Sequence, residues 1–234
     1  MRQSQRILAV VPARGGSKGV RLKNIHPLGG IPLIAHVGRL LGQVPGVDRA
    51  VVSTDHEAIA AAAESAGIDA PFRRPESLSG DLVSDQQVLY HALTTVEQLE
   101  GSRYDIVLML QPTSPLRRPE HVTAVLEKLL TGDWDAVWTV SPTDLKYHPL
   151  KQLTVGEDGA MEYFDPRGSS VIARQQLGLV YHRNGAAYAV TRDCLLRQET
   201  LKGTRTAAVI VAEPMVSIDT LDDFARVELL LRSV

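Results

Sequence analysis

Ile7-Leu8-Ala9-Val10-Val11-Pro12-Ala13-Arg14-Gly15-Gly16-Ser17-Lys18-Gly19 carries the first decision about this chain. Its opening five residues are apolar and mostly branched, which predicts a strand buried on both faces of a parallel sheet. The glycine-rich part that follows leaves the carboxyl end of that strand, where open α/β sheets bind their ligands. Glycines allow the backbone to approach phosphate closely, and Arg14, Lys18, Arg21 and Lys23 place four cations within ten residues. The stretch therefore predicts a cradle for a polyphosphate. It contains neither Gly-x-x-x-x-Gly-Lys-Ser/Thr nor Gly-x-Gly-x-x-Gly, so an NTPase loop and a dinucleotide fingerprint are both ruled out.

The charge distribution agrees. Residues 1–47 contain no Asp or Glu, while Arg2, Arg6 and Arg39 add to the four loop cations, and such asymmetry marks a place that receives anions. Over all 234 residues the formal net charge is only -2, too little basic excess for tracking a nucleic-acid polymer. The single cysteine, Cys194, excludes a disulfide framework and a zinc ribbon and fits a reducing, cytoplasmic setting. No apolar run nears the roughly 20 residues that span a bilayer, and 7–11 is too short for a secretory signal. Small ligands are the expected partners.

Beyond the cradle, strand and helix patterns alternate. Pro32 opens a helix with Leu33, Val37, Leu40 and Leu41 at helical spacing. Strands are expected at 50–53, 106–110 and 136–140, and helices at 56–66, closed by Gly67, at 83–99 and at 119–130. This predicts an α/β fold, a mostly parallel sheet with helices on both faces. Between 141 and 183 the pattern breaks at Pro142, Pro149 and Pro166, in a block of roughly 40 residues that is too long for an ordinary connection. The expected division is a core of residues 1–140 and 184–234 and an inserted subdomain of residues 141–183. After the insertion come a strand at 185–190, a helix at 192–199 and a strand at 207–211. Thr220-Leu221-Asp222-Asp223 then caps a last helix with Phe224, Val227 and Leu231 on its apolar face. Trp134 and Trp138 read as core, Cys194 as a small hydrophobe, and His148, before a proline, as a structural histidine.

Several further segments accompany the cradle: Lys23-Asn24, Ser53-Thr54-Asp55, Arg74-Pro75-Glu76, Leu110-Gln111-Pro112-Thr113-Ser114-Pro115-Leu116-Arg117, His148-Pro149-Leu150-Lys151, Arg174-Gln175-Gln176, Asn184-Gly185-Ala186 and Ser217-Ile218-Asp219-Thr220. In this order, from end to end, the chain resembles the CMP-sugar synthetases, the acylneuraminate cytidylyltransferases that activate sialic acid and related nine-carbon acids with CTP. The resemblance implies a Rossmann-like core, a dimerisation role for the insertion, and transfer of CMP from CTP to the anomeric hydroxyl of a 2-keto sugar acid with release of pyrophosphate. Both reactants are anions, so catalysis there is mainly charge neutralisation and positioning.

By the same resemblance Arg14, Lys23 and Asp219 are the catalytic residues. Arg14, Gly15, Gly16, Ser17, Lys18 and Lys23 hold the triphosphate, and Asn24, Arg74 and Ser84 surround cytosine and ribose. Gln111, Lys151, Arg174, Gln175, Asn184 and Tyr188 bind the acid, with Lys151, Arg174 and Gln175 reaching the active site of the other subunit of a homodimer. Asp219 holds Mg2+, which prefers one or two carboxylates together with phosphate oxygens and water. The family usually carries Asp-Ile-Asp at this point, where the chain has Ser217-Ile218-Asp219. Two other readings are carried along: a nucleotidyltransferase for an eight-carbon keto acid or a phosphonate, and a CTP- or CMP-sugar-binding sensor weakened by Ser217.

Overall fold

The computed structural model describes residues 5–232. Ten strands occur in chain order: β1 (Ile7–Pro12), β2 (Pro27–Leu28), β3 (Ile31–Pro32), β4 (Arg49–Ser53), β5 (Ile106–Met109), β6 (Ala136–Pro142), β7 (Leu153–Val155), β8 (Met161–Tyr163), β9 (Tyr181–Thr191) and β10 (Thr206–Ile210). The α-helices are α1 (Leu33–Leu41), α2 (Glu57–Glu64), α3 (Asp85–Glu100), α4 (Pro119–Thr131), α5 (Arg192–Leu196) and α6 (Leu221–Arg232). Six strands form the central sheet in the order β10-β6-β9-β5-β1-β4. All neighbours pair in parallel except β9, which runs antiparallel to both β5 and β6.

Successive side chains of β1 point to opposite faces of the sheet, and each face is dry. Ile7, Ala9 and Val11 pack with Ile34 and Val37 of α1, Ile59 and Ala63 of α2, and Val122 and Val125 of α4. Leu8 and Val10 pack on the other side with Leu89 and Leu93 of α3 and with Cys194 and Leu195 of α5. The α/β fold with helices on both faces follows directly from this double burial. A third, smaller cluster joins Val20, Leu28 and Leu33 to Ile218, Phe224 and Val227, and it draws the last helix against the glycine-rich loop.

From β1 the chain moves outward to β4 and then crosses back to β5 on the other side of β1. The loops leaving β1 and β5 therefore diverge over one crevice, the topological switch point at which such sheets bind ligands.

The antiparallel direction of β9 departs from the simple alternation read in the sequence. The chain leaves β6 at the carboxyl edge of the sheet and stays at that edge through residues 143–180. With no helix to carry it across the face, it must return running the opposite way. The segment 143–180 holds the β7–β8 hairpin and short 3-10 turns, and β6 and β9 extend their pairing into its base, Pro142 opposite Tyr181. Other differences are local. The helix at 192 stops at Leu196, and Glu199, expected as its end, has a positive φ of 51°. Leu231 is exposed, so the buried face of α6 is Phe224 and Val227. Trp134 and Trp138 are only half-buried, packed at the margin of the two main clusters, while Cys194 is fully buried.

Candidate active site

The backbone of the glycine-rich loop is held by internal hydrogen bonds, by the Asp55 carboxylate and by the Asn24 amide. Gly15 N–H donates to Asp55 Oδ1 at 2.8 Å, Ser17 N–H to the Gly15 carbonyl at 2.9 Å, and Asn24 Nδ2 to the Arg14 carbonyl at 3.0 Å. A Cβ on Gly19 would stand 2.2 Å from the carbonyl oxygen of Asp219, so the loop and the segment before α6 touch only because residue 19 is glycine. The same segment is fixed from its other side by α6. Asp223 Oδ2 accepts from the N–H groups of Asp219 at 3.0 Å and Thr220 at 2.8 Å, completing the cap expected from the sequence and holding its carboxyl below the usual carboxylate range.

These elements enclose a cleft of about 580 Å3 at the carboxyl ends of β1 and β5. Arg14, Ser17, Lys18, Lys23 and Asn24 line it from the loop, Arg74 from the segment between α2 and α3, Gln111 from the turn after β5, and Asp219 from the approach to α6. Of the loop glycines, a Cβ on Gly15 would press on His56 at 3.0 Å and one on Gly16 would meet nothing within 4 Å; Gly19 lines the cleft, whereas Gly15 and Gly16 lie outside its lining. Lys23 Nζ donates to Asp219 Oδ1 at 2.8 Å, and Asp81 bridges Arg14 at 2.8 Å and Lys18 at 2.6 Å. Those bonds hold the Asp81 carboxyl below the usual carboxylate range. Arg74 is buried. It donates through Nη2 to the Ser53 carbonyl at 2.8 Å, while its Nε has no hydrogen-bond partner, and desolvation lowers its pKa from the ordinary arginine value. Ser84 lies one residue outside the lining. Its hydroxyl accepts from Gln87 N–H at 3.3 Å in a capping box that starts α3.

A second cleft of about 310 Å3 adjoins the first, and Asp85 and Gln111 belong to both. Its other walls include Arg183, Asn184, Gly185 and Tyr188 of β9, together with Ser217. Asn184 is buried and spent internally: Oδ1 accepts from Thr139 Oγ1 at 2.7 Å and Nδ2 donates to Ser141 Oγ at 3.0 Å. Tyr188 Oη accepts from Gly185 N–H at 3.0 Å, and burial raises its phenol above the ordinary value. Gly185 has φ 69°, and a Cβ there would meet Ser114 Oγ at 2.6 Å and Gln111 Oε1 at 2.7 Å.

Lys151 and Arg174 are apart from both clefts in the single chain. They line a hollow of about 670 Å3 within the segment 143–180, which shares no wall with the other two, and Gln175 is exposed beside them. This hollow is larger than the cleft below the loop, but it lies away from the glycine-rich loop and from the carboxyl ends of β1 and β5. His148 caps the turn that carries Lys151, accepting from Leu150 N–H at 3.1 Å through Nδ1, as a structural histidine does.

Three participants were not singled out in the sequence, Asp81, Asp85 and Arg183, and Asp55 enters there only as part of Ser53-Thr54-Asp55. Asp85 follows the Ser84 cap and reads there as an ordinary acidic first-turn residue. Asp81 and Arg183 sit in stretches with no periodicity or motif, and only the folded chain brings them to the clefts.

The family model described as cytidylyltransferase matches residues 8–226. The chain belongs to the cytidylyltransferase family. It is accordingly a nucleotidyltransferase enzyme. This cytidylyltransferase is 32% identical to a CMP-N,N'-diacetyllegionaminic acid synthase of Legionella pneumophila, over 97% of the chain and 96% of that protein. It is 29% identical to a pseudaminic acid cytidylyltransferase of Campylobacter jejuni, with 94% of each covered. It is also 31% identical to an N-acylneuraminate cytidylyltransferase of Streptococcus agalactiae, spanning 94% of the chain but only 52% of that relative's length. Among solved structures, a CMP:2-keto-3-deoxy-manno-octonic acid synthetase complexed with CTP superposes with a TM-score of 0.71 at 22% identity, covering 97% of the chain and 99% of the other, which shows the shared fold. Among the described residues of this cytidylyltransferase, no helix is long and apolar enough to cross a membrane.

Proposed function

We propose that this cytidylyltransferase transfers CMP from CTP to the anomeric hydroxyl of a nine-carbon 2-keto sugar acid, sialic, legionaminic or pseudaminic in type, and releases pyrophosphate. The observation that carries the reading is the junction of two clefts. A cationic one suited to a triphosphate meets a second one walled by Arg183, Gln111 and Tyr188, with Asp85 and Gln111 at the shared edge. The relatives from Legionella and Campylobacter, which match over nearly their whole length, support a nine-carbon acid as the acceptor.

In this reading Arg14, Ser17, Lys18 and Lys23 take the triphosphate oxygens, with the backbone of the glycine-rich loop assisting, and stabilise the charge that develops on departing pyrophosphate. The acceptor oxygen forms a bond to the α-phosphorus as the bond to the β-phosphate oxygen breaks. Asn24 and Arg74 stand at the base and ribose, where the unpartnered Nε of Arg74 is a buried donor left over for a ligand. Ser84 supports that region by starting the helix that presents Asp85.

The donor set suits magnesium bound with the nucleotide. Asp219 has a 73% exposed carboxylate at the cleft, and no cluster of three acidic, histidine or cysteine side chains forms a ready-made cage among the described residues. One carboxylate with phosphate oxygens and waters is an ordinary magnesium arrangement. When bound, the ion would polarise the α-phosphate, with Asp219 as its protein ligand.

The working enzyme in this proposal is a homodimer. The insertion exposes Val155, Met161, Phe164 and Ile172, an apolar surface that a second copy would cover. Lys151, Arg174 and Gln175 of each insertion would then add polar contacts to the acid cleft opposite. The setting is the cytoplasm, where CTP is supplied.

The test is pyrophosphate release from purified protein with CTP, magnesium and a panel of nine-carbon acids, with an eight-carbon keto acid and a phosphonate alongside. Turnover with a nine-carbon acid is expected. Preference for the eight-carbon acid or phosphonate would overturn the acceptor, and CTP binding without any turnover would favour a sensor.

A further inference from the structure

Three carboxylates line the nucleotide cleft, and they are not equivalent. Asp81 and Asp219 are each ion-paired with a cation of the glycine-rich loop. Asp85 has no ion pair among the described residues; its side chain accepts one long hydrogen bond, 3.3 Å, from Gln111 Nε2. It also lies on the shared wall of the two clefts, the place where a nucleotide and an acceptor acid would meet.

We propose that Asp85 is the general base that takes the proton from the attacking hydroxyl. This rests on the reaction proposed above. A 2-keto acid in its ring form carries its carboxylate on the same carbon as the anomeric hydroxyl. Arg183, which lines the acceptor cleft, attracts that carboxylate and thereby brings the hydroxyl to the wall formed by Asp85 and Gln111. Gln111 holds the Asp85 carboxylate in place through its amide, and a base needs such fixed geometry before its pKa matters. The step balances: the O–H bond breaks with its proton passing to Asp85, the freed electron pair forms the bond to the α-phosphorus, and pyrophosphate leaves with the electron pair of the broken P–O bond.

The charged and titratable groups facing Asp85 are Arg74 from the segment between α2 and α3 and Arg183 and Tyr188 from β9, with His182 on the same cleft wall. Burial lifts the Asp85 carboxyl above the ordinary carboxylate value, and the two arginines oppose that lift. A base of raised pKa is a stronger proton acceptor and gives the rate an acid limb: activity falls as the pH drops through its pKa.

The experiment is Asp85→Asn, which keeps the shape and an acceptor for Gln111 but removes the base. Its kcat should fall by about 10²- to 10³-fold, with the acid limb of kcat/KM lost and CTP affinity by calorimetry unchanged. Asp85→Glu, which restores a carboxylate, should recover part of the rate and the acid limb. An Asp85→Asn enzyme within about threefold of the unaltered kcat, or one that keeps the acid limb, overturns the inference. Loss of CTP affinity in both variants also overturns it, since that marks a structural role. If the unaltered protein turns over no acid at all, the reaction itself is misread; if it does turn over, the variants judge Asp85 alone.

Discussion

Lys23 and Asp219 lie 196 positions apart in sequence, yet the lysine Nζ is 2.8 Å from Asp219 Oδ1 and 2.7 Å from the Ile218 carbonyl oxygen. One side chain thus ties the glycine-rich loop to the segment that brings the proposed magnesium ligand. Lys23→Ala removes a cation from the place where pyrophosphate charge develops and leaves Asp219 without its partner. Turnover should drop by about 10²- to 10³-fold with the protein still folded, because no core residue is touched. Pyrophosphate release and thermal melting check this, and an unimpaired rate would remove the loop from the chemistry.

Asp81 lies across Arg14 and Lys18 in the free protein, in the position of an internal anion. A triphosphate must displace it, so Asp81→Asn should tighten CTP binding, by about tenfold at most for two surface ion pairs, with stability almost unchanged. Calorimetric titration reads the affinity. Weaker binding would mean that Asp81 serves the occupied cleft instead.

Gly185 joins a left-handed backbone to close approach by Ser114 and Gln111. Gly185→Ala should cost about 1–3 kcal/mol of stability and should also move the Gln111 amide, raising the KM of the acid more than that of CTP. A melting curve and separate KM measurements distinguish the two effects.

Ser217 lies two residues before Asp219 and lines the acceptor cleft. Ser217→Asp offers a second carboxylate near the proposed ion, and the enzyme should then reach half-maximal rate at a lower magnesium concentration. Complete inactivation would show that the hydroxyl itself contacts the acceptor.

Much of the core was readable because its signals are local. The apolar run of β1, the capping pair Thr220–Asp223, and the cluster of glycines and cations at 14–23 act within a few residues, so they appear as pattern, whereas the Ser84–Gln87 cap, equally local, was passed over. Periodicity reports which residues are buried but not which way a strand runs, and the direction of β9 was set by where the chain re-enters after residue 180.

By itself the sequence determined a sheet buried on both faces, a glycine-rich cationic loop at its carboxyl edge, and a block too irregular to belong to the alternation. Tertiary structure alone decided that Asp85, Gln111 and Arg183 share one wall, that Asp81 occupies the cations, and that Lys151 and Arg174 stand away from the cleft within one chain. The reason is physical. Burial and turn preferences depend on neighbours along the chain, whereas the meeting of side chains a hundred residues apart depends on the order and direction of strands, which many sequences of the same pattern leave open.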